Sequence, residues 1–117
     1  IRHFAAEFIG TFALVFIGGA SLINGQARGA GAGLIEAAFA HGLILAVAVT
    51  ATMRVSGHLN PAVTIGFLAT GKIKPVAGVA YIVIQLLAGV IAVALVVLFI
   101  ALITIATLTI VPTVLGR

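Results

Sequence analysis

Few side chains in this sequence can do chemistry. Its 117 residues include no Cys, three His and only two acids, Glu7 and Glu36. The three His (His3, His41 and His58) lie far apart and without a carboxylate pair, which is no ligand set for a metal. No nucleophile–base pair or phosphate loop occurs, and the glycines of 29–33 follow no strand, so a dinucleotide reading fails. Neither a catalytic residue nor a cofactor is expected, and what remains is hydrogen bonding. It is concentrated in Ser56-Gly57-His58-Leu59-Asn60-Pro61-Ala62-Val63-Thr64. Asn60 is a favoured N-cap, and Pro61 at the first helical position gives up an N–H that would go unpaired there. The Asn60 oxygen can cap the helix while its NH₂ stays free to donate. Ahead of it, the non-helical backbone from Ser56 to Leu59 offers carbonyls. Acceptors followed by a donor at the positive end of a helix replace the partners a water molecule sheds. A cation or migrating proton meets an opposing potential instead. The chemistry expected of such a series is passage of a neutral solute.

The elements around this stretch are apolar. The sequence is 63% hydrophobic and 7% charged, outside the range of soluble domains. Its net charge of +4 rests on six scattered Lys and Arg, which suits membrane loops and not a nucleic-acid partner. Spans are expected at about 4–23, 34–53 and 76–100. The first carries an internal Glu and lacks a small-residue cleavage pattern, unlike a signal peptide. Ala6, Gly10, Leu14 and Gly18 form one mostly small face, and Ala38, Gly42 and Ala46 another, as closely packed membrane helices use. Residues 24–33 read as a flexible link. The helix from Pro61 is expected to stop at Thr70, before Gly71 and the cations Lys72 and Lys74. At ten residues it is about 15 Å long, half of a ~30 Å hydrocarbon core. Its free N-terminal groups must therefore face protein or a water-filled path. The third span is expected to end near Phe99–Leu102, with Thr104, Thr107, Thr109 and Pro112 in an irregular segment beyond it.

A carboxylate at Glu7, one turn inside the first span, is costly there and should face the bundle interior. Glu36, at the start of the second span, suits a capping or surface role. Gln85 is one polar group in a long apolar helix and is expected to bond the central loop across helices. Arg54 is expected to cap the second span or meet headgroups. With the N-terminus cytoplasmic, Arg2, Arg54, Lys72 and Lys74 lie on that side against Arg28 and Arg117, which favours this orientation.

The central stretch resembles the first-repeat signature SG-x-H-x-NPAVT of the aquaporin (major intrinsic protein) family, in its bacterial type. AEFIGTF from Ala6, AHGL from Ala40, and Tyr81 to Gly89 with Gln85 resemble the family's first three helices, so the likeness reaches about Phe99. One departure is that Gly57 is followed directly by His58, where the family has a residue between. The resemblance implies an all-α membrane fold: three transmembrane helices plus one re-entrant half-helix, a single aquaporin-like half over residues 1–117. It implies that Asn60, Pro61, Ala62, Gly57, His58 and Leu59 line the pore. It implies that Glu7 is scaffold, accepting from the central loop's backbone, with Gln85, and that His41 contributes to the narrow filter. His41 bonded to a neighbouring helix is the alternative. The family's filter Arg follows its second NPA; here Val63 follows the NPA and no residue matches that Arg.

The function implied is a passive channel for water and other small neutral solutes. The expected partners are membrane lipid, the solute, and a second repeat or an inverted copy of this chain, with a tetramer implied by the family. An integral protein of the cell (inner) membrane is expected. The first residue is not Met, which favours a piece of a longer channel over an inverted pair. The rivals are a non-conducting helical subunit of a larger assembly and a proton-coupled carrier using Glu7.

Overall fold

A computed structural model of the chain describes residues 1–29 and 33–116. Among them every regular element is a helix: α1 (Arg2–Ala27), α2 (Leu34–Thr52), α3 (Pro61–Ala69) and α4 (Pro75–Val114). The three long ones are apolar enough to cross a membrane. In hydrocarbon, a helix satisfies its own backbone, and this favours helix wherever the sequence is apolar.

α1 is the central element, packed on α2 along one side and on α4 along another, while α3 packs on α4. α1 and α4 run parallel: Phe4 meets Tyr81 edge-on at 5.9 Å, and Glu7 bonds Gln85. α2 runs back along α1, with the His41 ring on Gly18 and Gly33 against Gly25. The buried residues of α4 are Gly78, Tyr81, Gln85, Ala88, Ala92 and Val96, a three-and-four spacing that makes one stripe along the helix.

Three helical glycines receive side chains from neighbouring segments. A Cβ at Gly10 would fall inside Leu59, one at Gly18 inside the His41 ring, and one at Gly78 inside Leu68. On α2 the expected small face is off by one residue. Ala38, Gly42 and Ala46 are exposed, and α2 buries Ala37 and Ala48 instead. One residue is a turn of about 100° on a helix, so a neighbouring stripe meets α1.

Two helix ends also differ from expectation. α1 continues through Asn24 and Gln26 to Ala27, so the expected link is shorter, and its positions 30–32 lie outside the described residues. α4 does not stop near Phe99–Leu102 but runs 40 residues to Val114. The threonines do not break it, and three of them bond back to their own helix: Thr107 to the Ile103 carbonyl and Thr109 to Ile105, both at 2.8 Å, and Thr113 to Thr109 at 2.7 Å. Pro112 sits in the last turn, where little helix remains to be disrupted.

Candidate functional site

α2 ends at Thr52, whose carbonyl accepts from both Val55 N and Ser56 N at 2.8 Å. His3 Nδ1 meets the Val55 carbonyl and ties this turn to the start of α1. The chain then passes through Gly57 at φ 86°, where a Cβ would lie 3.0 Å from the Met53 Cα. That approach and that φ leave room for glycine alone.

From there α1 takes hold of the loop. Glu7 Oε1 accepts from His58 N at 2.8 Å, and Oε2 accepts from Leu59 N at 2.7 Å and from Gln85 Nε2 at 2.7 Å. Glu7 is fully buried, so these three donors replace its lost hydration. Hydrogen bonds to a charged group contribute about 1.5–3 kcal/mol each. The second Gln85 amide hydrogen goes to Thr64 Oγ1 at 3.0 Å, which links the third long helix to the half-helix. Thr64 lies 3.1 Å from His58 Nδ1. The His58 ring packs on Phe67 and edge-on to Tyr81, with centroids 4.3 and 5.3 Å away, so it is turned into the protein.

Leu59 is the non-glycine residue with positive φ (54°) among the described residues. That conformation costs about 1–2 kcal/mol for an L-residue. It is held by Glu7 at its N–H, by Thr11 Oγ1 donating to its carbonyl at 3.1 Å, and by the space over Gly10 that receives its side chain. Asn60 follows in extended conformation (φ −153°, ψ 129°), and its Oδ1 accepts from Ala62 N at 2.8 Å, so the side-chain cap is formed. Its NH₂ has no protein partner among the described residues, and Asn60 is exposed. The carbonyls of Ser56, Gly57 and His58 likewise meet no protein donor among the described residues. The Leu59 carbonyl departs from the expected free set, because Thr11 holds it.

Pro61 lies with Asn60 at a mostly apolar hollow of about 670 Å³ between α1 and α4, bordered also by Thr11, Leu14 and Val90. Ala62 and Val63 are exposed in the first turn of α3. His41 lies apart from this cluster. Its Nδ1 is 2.7 Å from the Ala37 carbonyl of its own helix, and its ring borders a separate hollow with Leu14, Leu22 and Leu45. Glu36 pairs with Arg28 at 3.1 Å on the surface, an exposed bridge of small energetic weight. Thr11 and Thr64 belong to the site without having been singled out in the sequence. Each stands four residues after a residue that was, Glu7 and Asn60, on the same helical face.

A buried carboxylate gripping a non-helical loop, and a capped half-length helix among three long apolar ones, define an integral membrane protein of the re-entrant-helix class. Residues 1–113 match the family described as Major intrinsic protein. The chain belongs to that family. It is 45% identical over 75 residues to Aquaporin TIP4-4 of Zea mays, covering 59% of this chain and 30% of that protein. It is 44% identical over 69 residues to Aquaporin NIP6-1 of Arabidopsis thaliana, covering 58% and 23%. To Aquaporin Z of Bradyrhizobium diazoefficiens it is 42% identical over 71 residues, covering 59% and 30%. Plant and bacterial relatives stand side by side, so a bacterial type is not singled out. The match spans less than a third of each of these relatives. No solved structure matches the chain significantly.

Proposed function

We propose that this chain is the first half of a passive channel for water and other small neutral solutes. Its half-helix carries the solute-facing donor near the middle of the membrane. The observation that carries this reading is Asn60, whose oxygen is spent on Ala62 N while its NH₂ has no protein partner among the described residues. The carbonyls of Ser56, Gly57 and His58, which meet no protein donor among the described residues, lead up to it. A water molecule passing the loop donates to the carbonyls and accepts from Asn60, so it crosses without losing all its partners. A cation is opposed by the positive end of α3. Gly57, His58 and Leu59 act through backbone, and Pro61 and Ala62 shape the first turn.

α3 has nine residues, about 14 Å of helix, so it reaches roughly the mid-plane and one half encloses no complete path. A second half, or an inverted copy of this chain, supplies the facing half-helix. The assembly is a higher homo-oligomer in the cell membrane, with the N-terminus cytoplasmic. A proton-coupled carrier using Glu7 has less support, since both its oxygens already accept hydrogen bonds.

The test is stopped-flow shrinkage of proteoliposomes carrying the full natural protein. Water efflux well above that of empty vesicles, with no dependence on a pH gradient, is expected. Efflux equal to that of empty vesicles removes the channel reading and leaves the non-conducting subunit.

A further inference from the structure

Glu7, Gly10 and Thr11 stand at i, i+3 and i+4 on one face of α1, and all three meet Leu59. Glu7 takes its N–H, Gly10 makes room for its side chain, and Thr11 takes its carbonyl. The first two contacts fix where Leu59 sits. The third governs which way a polar group points.

The Leu59 carbonyl belongs to the residue directly before Asn60. With its left-handed backbone, Leu59 turns this oxygen to α1, where the hydroxyl of the buried Thr11 donates to it at 3.1 Å. The three carbonyls before it lack such a partner among the described residues. The series of free acceptors therefore stops one residue short of the helix cap. This matters electrostatically. A carbonyl oxygen carries partial negative charge, and one left free beside the first turn of α3 would offset the positive potential of the helix end where a cation must be refused.

We propose that Thr11 is a positioning residue for selectivity: its hydroxyl withdraws the Leu59 carbonyl from the solute path, so the Asn60 amide meets the solute without a competing acceptor beside it. The proposal rests on the channel reading above. It assigns the hydroxyl to cation exclusion and not to water flow, since water is served by the free carbonyls and by Asn60.

The bond itself can be read in the full natural protein. Leu59-Asn60 is the one Leu-Asn pair in these 117 residues, so ¹³C-carbonyl leucine with ¹⁵N-asparagine marks its carbonyl for solid-state NMR in lipid bilayers. Thr11→Val should move that signal upfield as the hydrogen bond is lost, and Thr11→Ser should restore it. In the full natural protein, Thr11→Val should raise the ratio of proton or Na⁺ leak to water flow about tenfold. Thr11→Ser should behave as the wild type. Thr11→Ala repeats the comparison without the β-branch if the valine variant fails to reach the membrane. An unmoved carbonyl, or a moved one with wild-type cation exclusion, overturns the proposal. A wild type that passes no water overturns the channel reading instead, and the carbonyl signal then decides whether Thr11 holds Leu59.

Discussion

Gln85 donates to Glu7 Oε2 at 2.7 Å across 78 positions of sequence. Both side chains are fully or almost fully buried, and each also engages the central stretch, Glu7 through the backbone of His58 and Leu59 and Gln85 through Thr64. Two long helices are thus joined through the loop that carries Asn60. The polar groups inside this apolar fold serve to hold one non-helical segment in one shape.

Replacing Glu7 by Gln should unsettle this arrangement. The carboxylate accepts at both oxygens, from three donors. An amide has one oxygen, so its NH₂ must face at least one of those donors whichever way it is turned. A loss of about 2–4 kcal/mol is expected, since a buried partner is left unpaired. Thermal unfolding in detergent measures it. A fall in stability with no pH-coupled uptake in either protein is the expected outcome; coupling that vanishes in the variant at unchanged stability would assign Glu7 to proton transfer.

Asn60→Asp should do the reverse, sparing the fold and altering the solute path. Aspartate ranks with asparagine as an N-cap, so the bond to Ala62 N is kept. The NH₂ donor is replaced by an acceptor bearing negative charge at the positive helix end. Na⁺ or H⁺ conductance should rise at little change in melting temperature. Unchanged exclusion in a folded variant that conducts water would place the Asn60 side chain off the path.

These residues differ in how far the sequence betrays them. Asn60-Pro61 announces a helix start by local chemistry alone, and α3 begins at Pro61. Glu7 and Gln85 stand out because a polar group in an apolar helix needs a partner. Thr11 and Thr64 do not stand out, because a threonine in a membrane helix can satisfy itself on the preceding turn, as Thr107, Thr109 and Thr113 do. That same habit is why α4 runs on where its threonines suggested a break. The positive φ of Leu59 has no local signature, since tertiary contacts from α1 impose it. The one-residue offset of the α2 face shows the same limit. Small residues stand at both Ala37 and Ala38, and the stripe that is buried goes with tertiary fits such as His41 on Gly18 and Gly33 on Gly25.

His41→Phe tests the second hollow. The His41 ring rests on Gly18, with Nδ1 bonded to the Ala37 carbonyl. Phenylalanine keeps a ring, adds bulk and removes the polar edge. In a preparation that conducts, glycerol flux should fall more than water flux, because the larger solute feels a narrowed passage first. Equal loss of both fluxes would make His41 a packing residue between α1 and α2.

The last expectation concerns which way the chain sits in the membrane, and it bears on what completes the path. The start of α1 and the turn after α2 are tied by His3 and Val55, so Arg2 and Arg54 lie at one end of the bundle. α1 and α4 run parallel, so Lys72 and Lys74, just before Pro75, belong to that end too. At the other end Arg28 pairs with Glu36, and Arg117 lies outside the described residues. The Lys and Arg excess at this end is what supports the proposed cytoplasmic placement of the α1 start. The chain has no Cys, so single cysteines report without background. Lys72→Cys and Gln26→Cys sit at exposed positions at opposite ends. In sealed vesicles of known sidedness, a membrane-impermeant maleimide should label Cys at 72 from the cytoplasmic face alone and Cys at 26 from the opposite face alone. That pattern fits one fixed orientation and completion by a second half. If each site reacts equally from both faces, copies insert both ways up. The facing half-helix would then come from an inverted copy, with Val63 after the NPA in both halves and weaker discrimination between water and larger neutral solutes.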